Sequence, residues 1–337
     1  MKTALQRLPL LGIVIVATGC DNVEWGGIQV GLRDPSEGLV SAAPPPEVAE
    51  GVVDTVPGPP PLGRVLYVGH RAGNEAILVP VAEIGPAGLV PLQGSGSAEA
   101  STSFAADYLT QGLGFTLFSD GAQVGTLSAD RFSVDERYCR LRPQIRGSID
   151  LIPEATAVQT FLALTTRDGL NIPNEPYSPI AQTSDLLVAS TSTMRRFINT
   201  VGALSPTNVL DIRRDVQMFR ARPGEPPTVV ATFVYDDELV VGPANARAYS
   251  VFLASNDDEG TGYEGTYVDY RVNSVDGKGA ARYFDHLDVD GDGTDEIVLE
   301  VLGENSMWLS TLGRQGDSWV EEYRDPCGLP SSPAELR

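Results

Sequence analysis

The chain has 337 residues, 42% of them hydrophobic and 20% charged, enough apolar content to fill a substantial core. Its formal net charge is −21, from 45 acidic against 24 basic residues. That balance excludes nucleic acid as a natural partner and favours divalent cations or basic ligands. Lys2 and Lys278 are the only lysines, so nearly all positive charge is arginine, a compositional bias and not a binding code.

At the amino end, basic Lys2 and Arg7 precede an apolar run from Leu8 to Val16 and then Ala17-Thr18-Gly19-Cys20. The run is too short to cross a bilayer as a helix. Residues 1–20 resemble the signal peptide of bacterial lipoproteins, although Ala17 stands where leucine is more usual. The resemblance implies cleavage after Gly19 and acylation of Cys20, which would hold the protein to a membrane with its folded part extracytoplasmic, in the bacterial cell envelope. Removing Lys2 and Arg7 leaves 24 − 2 = 22 bases against 45 acids, or −23. Residues 21–62 read as a proline-rich tether, because Pro44-Pro45-Pro46 and Pro57-Gly58-Pro59-Pro60-Pro61 favour extended polyproline II structure. Within it, Glu24 to Val30 is less polar and reads as a short docking strand or, alternatively, as a recognition segment near the anchor.

Residues 63–172 read as a β-rich α+β module. Arg64–Gly69, Ala76–Val81 and Gly114–Phe118 have the length and residue types of strands. Pro80 removes a ladder donor, which places the second of these at an edge or a bulge. Ser97 to Gln111 is expected to be helical, with Phe104, Tyr108 and Leu109 on its apolar side. Asp120-Gly121 signals a hairpin to Gln123–Leu127, since both residues tolerate positive φ. Alternation puts Arg137, Arg140, Arg142 and Arg146 on a solvated strand face that meets acidic surface elsewhere. His70 is read as a loop histidine without a catalytic role.

Pro173, Pro176 and Pro179 mark the start of a second module, 173–337. Met194, Phe197, Ile198 and Val201 follow helical spacing, with Thr191 or Ser192 as the expected cap, Gly202 at the end and Pro206 beyond it. Antiparallel strands follow over 216–220, 228–234, 249–254 and 266–272. Gly260-Thr261-Gly262-Tyr263-Glu264-Gly265 matches a dinucleotide fingerprint by letters alone. Asp257, Asp258 and Glu259 would repel a pyrophosphate, and a strand follows where the fingerprint needs a helix.

The stretch Asp288-Val289-Asp290-Gly291-Asp292-Gly293-Thr294-Asp295-Glu296 places carboxylates at alternate positions around two glycines. Asp288, Asp290, Asp292, the Thr294 carbonyl and Glu296 together supply hard oxygen donors of the kind calcium takes. Leu299 stands where an EF-hand needs its bidentate glutamate, and strands rather than helices flank the loop. Over roughly Tyr283 to Leu312 the stretch resembles the FG-GAP or VCBS-type loop of integrin-like β-propellers, in which the corresponding groups bind calcium. A single copy does not imply a full propeller. Asp295 is expected to face solvent, and His286 to act as a spacer or as a support to the ligands. The final hairpin covers 306–310 and 319–323, with Cys327 just beyond.

The expected fold is therefore α+β, predominantly antiparallel β with one or two short helices. In an exported protein Cys139 and Cys327 form an expected disulfide. The sequence favours a lipid-anchored, non-enzymatic envelope protein with a structural calcium ion. A calcium-dependent protein- or glycan-binding module is the alternative, and a carboxylate-based hydrolase comes third. No G-x-S-x-G, H-E-x-x-H or zinc-like Cys/His cluster occurs.

Overall fold

A computed structural model describes residues 63–85, 88–92, 96–166, 176–257, 260 and 262–326. The expected signal peptide with Cys20, the tether, Pro173 and Cys327 lie outside the described residues. The described residues fall in one compact unit, Pro57–Arg337. The fold is α+β and predominantly antiparallel β, and its sheets do not form a propeller.

Seven strands build the first sheet: β1 (Arg64–Ala72), β2 (Glu75–Gly85), β3 (Gly88–Pro91), β4 (Gly114–Ser119), β5 (Ala122–Asp135), β6 (Arg142–Leu151) and β7 (Thr160–Thr165). Their order is β1-β7-β4-β5-β6-β2-β3, and β1 also pairs with β2, so six strands close into a barrel-like sheet. Pro80 sits where the β1–β2 register shifts at Leu66/Tyr67. The bulge accommodates the missing N–H. The two-residue turn Asp120-Gly121 joins β4 to β5 with φ of 49° and 72°. Positive φ at both positions is the geometry that matches the twist of paired strands. Helix α1 (Ala98–Tyr108) starts on Ser97, whose hydroxyl accepts from the Ala100 N–H.

Helix α2 (Ser184–Val201) begins a full two turns earlier than the expected Thr191 or Ser192 cap. Inside the helix the Thr191 hydroxyl donates back to the Leu187 carbonyl and that of Ser192 to Ala189. Hydroxyl side chains satisfied this way do not need to sit at a terminus. Gly202, at φ 66°, ends the helix as expected. Two four-stranded sheets complete the fold. One has the order β11-β10-β9-β8, from β8 (Arg213–Phe219), β9 (Thr228–Tyr235), β10 (Tyr249–Asn256) and β11 (Glu264–Val272). The other has the order β12-β13-β14-β15, from β12 (Gly279–Leu287), β13 (Glu296–Gly303), β14 (Met307–Gln315) and β15 (Ser318–Arg324).

Strand periodicity explains how these pieces stack. Val65 and Tyr67 point into the barrel, while Leu66 and Val68 on the same strand point out and pack with Leu287, Val298 and Leu309. Alternate residues of β13, Ile297, Leu299 and Val301, face the other way and meet Phe219, Val230 and Phe252. The opposite face of the β8–β11 sheet, through Val229, Ala231, Val251 and Leu253, packs on Met194 and Ile198 of α2. The layers therefore run barrel, β12–β15 sheet, β8–β11 sheet and helix, with the inner strands covered on both faces. Burying each large apolar side chain contributes about 1.5–3 kcal/mol. One of the buried clusters thus draws residues from both sides of 172/173.

The arginine island departs from the expectation of a solvated face. Arg142 is 1% exposed. Its guanidinium donates to the carbonyls of Pro80 and Val81 and pairs with Asp325 Oδ1 at 2.5 Å. The side chains of Arg137 and Arg146 stay exposed and reach acidic partners, the buried Asp135 and the partly exposed Glu75.

Candidate metal centre and the adjoining cavity

The Asp288–Glu296 loop joins β12 to β13. Gly291 and Gly293 take φ of 86° and 87°, which folds the chain back over the Asp288 carboxylate. Asp288 Oδ1 accepts from the N–H groups of Gly291 and Asp292, and Oδ2 accepts from Gly293. Asp290 and Asp292 each accept from a backbone N–H two residues on. These bonds hold the carboxylates in fixed orientations within the turn.

Ligand atoms of Asp288, Asp290 and Glu296 lie within 4.8 Å of one another. Glu296 is buried, and its Oε2 accepts from the Val289 N–H at 2.8 Å. Burial pushes its carboxyl up to about 9, and the charges of Asp290 and Asp288 add to the rise while the Val289 bond opposes it. Among the described residues no ion pair balances these carboxylates. A hard, oxygen-liganded cation fits that arrangement of charge and donors. Asp292 is exposed and stands outside the tight trio. Thr294 is buried, and its hydroxyl accepts from Arg222 Nε at 2.8 Å.

Beside the loop lies a cavity of about 310 Å³. Its wall combines the Asp120-Gly121 turn, the segment around Ser178 to Ile180, the end of β8 at Phe219, and Asp288, Gly293 and Asp295 of the loop, with His286 also lining it. The Asp295 N–H donates to the Ala221 carbonyl and fastens the loop to the end of β8. Asp295 was expected to face solvent. Instead its Oδ2 lies 3.4 Å from His286 Nε2, because the turn at Gly293 rotates that side chain toward the cavity.

His286 is 3% exposed and stacks on Phe219 at 4.3 Å between ring centroids. Burial holds its imidazole neutral, pushing its value down to about 3. The Tyr283 hydroxyl lies 2.5 Å from Nδ1. Burial, reinforced by Asp285, keeps that phenol protonated. It is therefore the donor, which leaves the imidazole proton on Nε2 toward Asp295.

Asp285 and Asp120 complete this second group. Asp285 Oδ1 accepts from the N–H groups of Asp120 and His286, while Oδ2 is buried without a hydrogen-bond partner. Burial and then the Asp120 charge raise the Asp285 carboxyl well above its ordinary range. Burial also raises Asp120, against an opposing hydrogen bond from Tyr177. Asp120 and Asp285 carried no recognisable motif in the sequence. The only local clue was the Asp-Gly turn, which had a sufficient structural explanation.

No protein-family model, curated protein or solved structure matches the chain. Among the described residues no helix is long and apolar enough to cross a membrane.

Proposed function

We propose that this is a lipid-anchored protein of the bacterial cell envelope, acting as a calcium-dependent binding module for a glycan or another polyhydroxylated ligand, and not as a catalyst. The observation that carries the reading is that Asp288 and Gly293 belong both to the carboxylate loop and to the cavity wall. Calcium held by Asp288, Asp290, Asp292, the Thr294 carbonyl and Glu296 would neutralise crowded carboxylates and fix one side of the pocket. The size is suited to a sugar unit, and the carboxylates on the wall are acceptors for hydroxyl groups.

Screening the full-length chain on a glycan array with millimolar calcium and with EDTA tests this. Binding in calcium, lost in EDTA and in an Asp290→Ala/Asp292→Ala variant, is expected. Binding that ignores calcium, or no binding with calcium present, overturns it. At calcium 1,000-fold above Kd the ion should stabilise by about 4 kcal/mol, or about 7 °C in Tm for a unit of this size. An unchanged Tm would reject the ion itself. Incorporation of labelled palmitate that disappears in Cys20→Ser is the expected sign of the anchor, and equal labelling of both would remove it.

A further inference from the structure

The group Asp120, Asp285 and His286 has more of the features of an ion site than an acidic cluster needs for its own stability. A ligand atom from each residue lies within 4.8 Å of the others. Asp285 is 3% exposed, and its Oδ2 has no partner. A buried carboxylate oxygen without a donor is costly unless a cation or proton sits against it. Asp285 Oδ1 is 3.7 Å from His286 Nδ1, a separation that two ligands of one ion can have. On the far side of the ring, Nε2 faces Asp295 Oδ2 at 3.4 Å. A carboxylate behind the distal nitrogen is the support that metal-bound imidazoles usually have, since it fixes the tautomer and strengthens the donor nitrogen.

We propose that Asp120, Asp285 and His286 form a second metal site, distinct from the calcium loop, that binds zinc through two carboxylates and His286 Nδ1. The imidazole argues against calcium, which prefers oxygen throughout, whereas zinc accepts mixed nitrogen and carboxylate ligands. A divalent ion also neutralises the two carboxylates, for which the described residues offer no basic partner. Binding replaces the hydrogen bond from Tyr283 at Nδ1 and leaves the Nε2–H on Asp295. Because Asp120 and His286 line the cavity, a zinc ion with three protein ligands keeps a coordination position for an oxygen donor from the ligand.

The test is zinc titration of the full-length chain, free of any polyhistidine tag, by calorimetry in saturating calcium, with bound metal counted by mass spectrometry after dialysis. One zinc per chain is expected, retained in Asp290→Ala/Asp292→Ala and weakened at least 10-fold in Asp285→Asn and in Asp120→Asn. Asp120 is partly exposed, so its variant provides the result if Asp285→Asn fails to fold. No zinc retained in saturating calcium, or zinc affinity unchanged in Asp120→Asn, overturns the site. Loss of zinc in the loop variant alone would place the ion in the calcium loop and overturn it equally.

Discussion

Asp325→Ala is the sharpest test of how the layers are joined. Asp325 is 1% exposed at the end of β15 and receives three donors: Arg142 from the barrel, the Tyr323 hydroxyl at 2.7 Å, and the Leu309 N–H at 3.0 Å. Truncation leaves a guanidinium buried against the Pro80 and Val81 carbonyls with its counter-charge gone. Breaking one side of a buried pair costs about 3–5 kcal/mol. The two neutral donors would add about 1 kcal/mol or more each if nothing replaced the carboxylate, but effects within one network do not sum. A loss of about 5 kcal/mol is expected. With an unfolding entropy of about 2.1 cal/mol/K per residue over roughly 280 residues, Tm falls by about 8 °C. Urea unfolding followed by circular dichroism gives the free energy, and calorimetry gives Tm. The double replacement Arg142→Met/Asp325→Leu should recover most of the loss, since it removes both charges together. A loss under about 1 kcal/mol for Asp325→Ala, or a double variant as unstable as the two singles summed, would refute the argument.

Other consequences of the packing can be measured in the same way. The Cys139 N–H donates to the Met307 carbonyl and the Asp325 N–H to the Leu309 carbonyl, so both segments run along the same edge of β14. A Cys139–Cys327 disulfide is therefore expected. Alkylation with and without reductant should differ by two sites in intact mass, and two thiols freely alkylated in native protein would exclude the bond. At Gly121, φ is 72° and an added Cβ would lie 2.7 Å from Asp295 Oδ2. Gly121→Ala should cost about 1–2 kcal/mol, roughly 2–3 °C in Tm, and an unchanged Tm would contradict the described packing. Asp135 is raised by burial but lowered further by hydrogen bonds from Arg137, for a net value below its ordinary 3.8. A depressed folded value contributes stability above about pH 4 and loses it as pH falls toward the folded value. Asp135→Asn should flatten that acid limb of the stability curve, and an unchanged slope below pH 4 would disprove the contribution.

Local pattern exposed much of the fold. The runs at Val65–Val68 and Ile297–Leu299 are apolar without alternation because both faces of their strands are covered. The Asp120-Gly121 hairpin and the Gly202 helix end were legible for the same reason, namely that positive φ restricts residue choice. Barrel closure was not legible, since β1 pairs with β7 from far along the chain and short-range periodicity carries no register for such a pairing. Strand β5 was read only as far as Leu127, yet it continues to Asp135 through Ser128, Ala129, Asp130 and Arg131. These residues have weak strand preference, and pairing with β6 across a bulge at Ala129/Arg131 overrides it.

The carboxylate loop was readable because its donors are contiguous, and contiguity is a property of sequence. The second group has no such signature. Asp120 sits at a barrel hairpin and Asp285 and His286 on β12, and they meet because the Asp120 N–H donates to Asp285 Oδ1 at 2.9 Å. That contact exists only after the barrel has packed on the β12–β15 sheet. The same packing turns Asp295 toward His286 and encloses the cavity between the Asp120-Gly121 turn, the end of β8 and the loop. The donors of the proposed calcium loop are thus set by a local element, whereas the cavity and its buried carboxylates are products of layer assembly. Variants that loosen the assembly without touching the loop, Asp325→Ala among them, should therefore impair the cavity before they impair the proposed calcium site.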